Sequence, residues 1–169
     1  NIFACNGILF NHESPLRGET FVTKKIVKAL TKISLKKQKE LLIGNLYSKR
    51  DWGHAEDYVE AMWKILNHKK ADDFVIATNS QMTIKKFVYL VCKNLNIKIK
   101  WKGKGLSEKA FDKNNNCIIR VDKRYFRPLE VENLKGDYKK ANKILKWKPS
   151  RNVNQLIKEM INYELENND

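Results

Sequence analysis

Four cations in this 169-residue chain have residue types and positions suited to binding a diphosphate: Arg17, Lys25, Arg50 and Arg127. Only six of the 34 basic residues are arginine, at 17, 50, 120, 124, 127 and 151. An arginine kept in a lysine-rich chain offers a planar fork that matches phosphate oxygens. Arg50 and Arg127 fall at element boundaries, where side chains converge on ligands, and three or four such groups can hold a diphosphate through charge-assisted bonds. On spacing alone, ordinary surface or ion-paired cations are the simpler account. His54 and Asp57 stand three apart on a predicted helix and form a candidate metal pair, but a third ligand is lacking. Ser14 and Ser48 have no nucleophile-elbow context. No phosphate loop of the GxGxxG or Walker type is present.

The elements that must position these residues are short and mixed. Ile2–Phe10 reads as a strand, followed by the polar turn Asn11-His12-Glu13-Ser14-Pro15. Val22, Ile26, Ala29, Leu30 and Ile33 fall at helical spacing, with Thr20 as cap. Leu41–Ile43 reads as a strand ending at the Gly44-Asn45 turn. A second helix presents an apolar face of Ala55, Val59, Met62, Trp63 and Leu66. Phe74–Ala77 is a continuous apolar run typical of a strand buried on both faces. Thr83 caps a third helix carrying Ile84, Phe87, Val88, Val91 and Leu95. Ile97–Trp101 alternates like a strand, Gly103–Asn116 reads as a mobile loop, and Ile118, Ile119 and Val121 mark another strand. Asp137 caps a helix ending at Leu145, which Trp147-Lys148-Pro149 stops. Val153, Leu156, Ile157, Met160 and Ile161 mark a terminal amphipathic helix. The class is α/β or α+β, and no linker is long enough to divide the chain.

The net charge is +15, from 34 basic and 19 acidic residues. A polyanion partner such as nucleic acid is one account. The competing account is compositional: lysine and asparagine are in joint excess, as an AT-rich coding sequence gives on tolerant surface positions. The lysines are scattered rather than interleaved with arginine and aromatics, as a nucleic-acid stripe would have them. Hydrophobic residues at 42% and charged residues at 31% exclude a disordered chain. No apolar run reaches the roughly 20 residues of a membrane span. Three scattered cysteines, Cys5, Cys92 and Cys117, support neither a disulfide framework nor a CxxC metal site, so a reducing, cytoplasmic setting is expected. The chain starts at Asn1 inside an apolar run and reads as a fragment.

The strings CNGILFNHESP (5–15), RGETFVT (17–23), GNL (44–46), RDWGHA (50–55) and DYV (57–59) resemble the GDP-mannose 4,6-dehydratase family. DFVIAT (73–78), YFRP (125–128), EVE (130–132) and WKP (147–149) continue the resemblance along essentially the whole chain. FNHESP and RDWGHA distinguish this family from other nucleotide-sugar members of the extended short-chain dehydrogenases.

The resemblance implies an α/β fold corresponding to the C-terminal portion of an extended short-chain dehydrogenase: the last Rossmann strands plus a small mixed nucleotide-sugar-binding domain. Residues 1–169 would be the substrate-binding portion. The N-terminal Rossmann half, with its glycine-rich loop and the acid–base residues, would lie outside this sequence. The chain would then hold no catalytic residue and be inactive alone. The implied activity is a lyase reaction on GDP-mannose with tightly held NADP. The sugar is oxidised at C4, water is eliminated across C5 and C6, and hydride returns to C6, giving GDP-4-keto-6-deoxymannose for GDP-fucose synthesis. A dimer or tetramer is implied, with no membrane or nucleic-acid partner and no metal. Position by position, His12 and Arg17 match NADP contacts, and Asn11 matches an asparagine that bonds the substrate's diphosphate or sugar. Val22 and Lys25 match the start of the helix covering the nucleotide. Arg50 and Arg127 match the diphosphate arginines, and Glu130 an acceptor for ribose hydroxyls or the guanine edge. Leu16 departs from the pattern, standing where the family often has a first basic residue. The alternatives are a non-catalytic nucleic-acid-binding protein and a related nucleotide-sugar epimerase or reductase.

Overall fold

The computed structural model describes residues 2–167. In chain order the elements are β1 (Gly7–Leu9), β2 (Asn11–Glu13), α1 (Val22–Ser34), β3 (Leu41–Ile43), β4 (Lys49–Arg50), β5 (Trp52–His54), α2 (Ala55–Leu66), β6 (Phe74–Ile76), β7 (Met82–Thr83), α3 (Ile84–Asn94), β8 (Lys100–Lys102), β9 (Lys109–Phe111), β10 (Cys117–Val121), α4 (Lys139–Leu145) and α5 (Val153–Glu166). The described residues fall into two compact units, one from residues 2–14, 49–82 and 133–156, the other from 15–48, 83–132 and 157–167. The division follows no single linker, because each unit is assembled from three separated stretches.

In the first unit β1 and β6 pair in parallel, Gly7 opposite Phe74 and Leu9 opposite Ile76, and α2 packs on both strands. β2 and β5 form a second parallel pair in which Asn11, His12 and Glu13 face Trp52, Gly53 and His54. The predicted strand Ile2–Phe10 is therefore shorter than expected and resumes past Phe10. Tyr58, Ala61 and Ile65 of α2 pack with Phe74, Ile76, Ala141, Leu145 and Trp147 in the core. This corrects the expected face of α2: Val59, Met62, Trp63 and Leu66 are exposed, Trp63 at 65% and Leu66 at 69%. The helix carries two apolar stripes, and a helical period alone does not say which one is covered.

The second unit holds a four-stranded sheet in the order β3-β10-β9-β8. β3 runs parallel to β10, while β9 is antiparallel to both β10 and β8. α1 packs on α3. Ile26, Val27 and Leu30 of α1 are fully buried, as are Phe87, Val88 and Val91 of α3. Thr83 caps α3 as expected, its Oγ1 accepting from the Lys86 amide at 3.1 Å. Thr20 does not cap α1; the N-cap is Phe21, without a side-chain bond. Nor is the stretch from Gly103 to Asn116 a plain loop. It contains β9, whose single fully buried residue, Ala110, leaves no readable period. An Asp112 turn follows, accepting from the amides of Asn114 and Asn116 at 2.9 and 2.8 Å. Lys24 is buried here against Glu164 and donates to the Pro15 carbonyl at 2.7 Å.

Candidate functional site

In parallel α/β sheets, ligands gather beyond the carboxyl ends of the strands. In the first unit Thr78 and Ser80 follow the carboxyl end of β6 and line a cavity of about 270 Å³ together with Arg50, Ser150 and Arg151. Asp51, fully buried, anchors the Arg50 segment. Its Oδ1 accepts from the amide and hydroxyl of Thr78 at 2.9 and 2.5 Å, and its Oδ2 from the Gly136 amide at 3.3 Å. Gly136 admits no larger residue, since a β-carbon there would sit 2.2 Å from that of Ala77.

The pair considered as metal ligands serves structure instead. His54 caps α2, its Nδ1 accepting from the Glu56 amide at 3.2 Å. Asp57 accepts from Ser150 N and Oγ at 3.0 and 2.5 Å and from Arg151 N and Nη1 at 3.1 and 3.2 Å. Arg151 also pairs with Glu56. Among the described residues, no group of three metal-ligating side chains converges. Asn11 and His12 lie side by side on β2, both half-buried. A carbonyl oxygen can only accept, so His12 Nδ1 donates to Phe10 O at 2.9 Å. Burial and the carboxylates of Asp51, Asp57 and Glu13 push the Tyr58 phenol above its ordinary value.

The second unit carries the other candidates. Arg17 is half-buried with its guanidinium 3.5 Å from the centroid of the Phe21 ring, whereas neighbouring Leu16 is 80% exposed. Val22 opens α1. One turn on, Lys25 Nζ lies 3.2 Å from the Tyr125 ring centroid, and burial lowers its ammonium below the ordinary value. Lys25 and Tyr125 share a cavity of about 340 Å³ with Lys28, Lys32 and Glu40. Tyr125 belongs to the loop that bears Arg127 and Glu130, which form a loose ion pair at 4.0 Å. That loop is clasped by Asn45: the Arg127 amide donates to Asn45 Oδ1 at 2.8 Å, and Asn45 Nδ2 donates back to the Arg127 carbonyl at 2.9 Å. A β-carbon on Gly44 would sit 2.0 Å from the Tyr125 carbonyl oxygen, so the close approach requires glycine.

The structure thus groups Asn11, His12 and Arg50 in one unit and Arg17, Val22, Lys25, Arg127 and Glu130 in the other. Sequence reasoning missed Arg151 as a wall of the Arg50 cavity, and the anchoring roles of Asp51 and Asn45. Arg151 carried the same signal as Arg50, an arginine kept in a lysine-rich chain; for the other two the signal was a carboxylate directly after Arg50 and an asparagine directly after a glycine.

Solved structures share this fold. RMD from Pseudomonas aeruginosa, complexed with NADPH, superposes with a TM-score of 0.78 at 16% identity, over 95% of this chain and 48% of that one. UDP-glucuronic acid 4-epimerase from Bacillus cereus, in complex with UDP-glucuronic acid and NAD, gives 0.74 at 16%, over 98% and 46%. Residues 1–160 match the family model described as GDP-mannose 4,6 dehydratase, and the chain belongs to that family. It is 49% identical to GDP-mannose 4,6 dehydratase 2 of Caenorhabditis elegans, over 95% of this chain and 42% of that protein. It is 46% identical to GDP-mannose 4,6 dehydratase of Drosophila melanogaster, over 98% and 42%. With the Yersinia enterocolitica enzyme the identity is 47%, over 98% and 47%. The chain spans somewhat under half the length of these relatives. The nucleic-acid-binding and epimerase or reductase alternatives find no support in these matches, and neither does the inactivity expected of the chain alone.

Proposed function

We propose that this chain is the nucleotide-sugar-binding part of a GDP-mannose 4,6-dehydratase. The full protein would convert GDP-mannose to GDP-4-keto-6-deoxymannose in the cytoplasm, as a dimer or tetramer, on the route to GDP-fucose. The observation that carries the reading is 44–49% identity to dehydratases of this specificity over 95–98% of the chain. Arg50 and Arg127 are assigned to the diphosphate, and Asn11, Val22, Lys25 and Glu130 to the rest of the sugar nucleotide.

NADP is the proposed cofactor, and the residues present fit it. His12 has its Nδ1 fixed on a carbonyl, so Nε2 is the ring nitrogen left to meet a donor such as a ribose hydroxyl or carboxamide. Arg17 offers a half-buried guanidinium for a phosphate. When bound, NADP supplies the hydride acceptor and donor that the reaction needs. The chain's own residues bind and orient; none is assigned a proton transfer.

The test is to incubate the full-length protein with GDP-mannose and identify the product. A 4-keto-6-deoxy sugar nucleotide is expected, and recovery of an epimer overturns the assignment.

A further inference from the structure

Tyr58 is a core residue of the first unit whose aromatic contacts go beyond filling space. It is fully buried, and among the described residues its hydroxyl has no hydrogen-bond partner. A buried hydroxyl left unbonded adds nothing to stability, so it is the ring that the position uses. What the ring touches is specific. It lies against the imidazole of His12, with centroids 4.9 Å apart and planes inclined by 30°, a tilted ring contact. On another side Trp147 meets it edge-on at 6.2 Å.

The backbone makes room for this stack. His12 and Gly53 are register partners in the parallel β2–β5 ladder. Partners in a ladder point to the same face of the sheet, so the absent side chain at Gly53 opens a space beside the imidazole. Tyr58 fills it: a β-carbon on Gly53 would fall 2.4 Å from Tyr58 Cε2. The imidazole is thereby held twice, by its ring face on Tyr58 and by Nδ1 on the Phe10 carbonyl.

We propose that Tyr58, seated on Gly53, is a positioning residue that fixes the orientation and the Nδ1–H tautomer of His12, so that Nε2 is presented to the cofactor. The cofactor clause rests on the reading of His12 as an NADP contact; the orientation and tautomer do not. His54 supplies an internal standard, because its Nδ1 accepts a hydrogen bond and its neutral form must carry the proton on Nε2. The two histidines should give opposite imidazole ¹⁵N signatures.

The experiment uses the full-length protein, ¹⁵N-labelled at histidine, with NADPH as the probe. Tyr58→Phe should keep the His12 signature, keep the NADPH dissociation constant, and leave the unfolding midpoint unchanged or higher. Tyr58→Leu should mix the His12 tautomers and weaken NADPH by about threefold to tenfold, the range an aromatic pair is worth. Gly53→Ala, which displaces the ring without removing it, should shift the His12 signature the same way and keeps the test decisive if the leucine variant does not fold. The proposal is overturned if Tyr58→Leu or Gly53→Ala leaves the Nδ1–H signature intact, or if Tyr58→Phe is as damaging as Tyr58→Leu. An unchanged NADPH affinity in His12→Ala removes the cofactor reading alone, and the tautomer measurement still decides the positioning.

Discussion

The two arginines assigned to a diphosphate are held in opposite ways. In the first unit, the residue after Arg50 is a fully buried carboxylate that gathers three donors from two distant segments. In the second, Arg127 sits on an exposed loop, its side chain 79% accessible, and its backbone is clasped by the amide of Asn45. A buried anion and its donors cannot exchange partners with water, so they fix the chain wherever the unit is folded. An exposed amide clasp exchanges freely and adds little net free energy. One arm is therefore set by the core of its unit and the other by a turn, which leaves the second free to adapt.

The sharpest way to break this contrast is Asp51→Ala, which strands buried donors. A loss on the order of 3 kcal/mol is expected in urea unfolding of the chain; a loss below 1 kcal/mol would make the anchor no stiffer than the clasp. Removing either guanidinium, Arg50→Ala or Arg127→Ala in the full-length protein, should cost about 2–3 kcal/mol of GDP binding by calorimetry, the scale of a charged hydrogen bond. Unchanged affinity would count against the assignment. Asn45→Ala should cost only about 1 kcal/mol of stability, with GDP affinity reduced less than by Arg127→Ala.

The smallest effect lies beside that loop, where the Arg124 guanidinium holds the Asp122 carboxyl at about 2 rather than its ordinary 3.8. A depressed carboxylate contributes stability that is present above its unfolded value and lost as pH falls toward the folded one. Melting curves of the chain and of Asp122→Asn should therefore differ at pH 6 and converge as the pH drops from about 4 to 2.

Much of the framework was legible because its signals are local. The buried run at Phe74, the Thr83 cap and the helical spacing of 84–95 each fix one element without help from elsewhere. What the sequence hid depends on long-range pairing. β9 exists because β8 and β10 flank it, not because Lys-Ala-Phe favours a strand. The covered stripe of α2 is chosen by Phe74 and Ile76 of the next strand and by Trp147, which is remote in sequence. The same holds for the site. The arginines could be picked out by type, but Asp51 and Asp57 reach partners 85 and 94 positions away, and no spacing rule reveals that.

The uncovered stripe of α2 has a consequence for how this chain behaves in a tube. Val59, Met62, Trp63 and Leu66 present adhesive surface on a polypeptide whose copies repel one another through a charge of +15. The repulsion reaches about 10 Å at 0.1 M salt and about 3 Å at 1 M. Light scattering should thus rise as salt is added, the reverse of a protein kept in solution by salting in, and Trp63→Glu should flatten that rise.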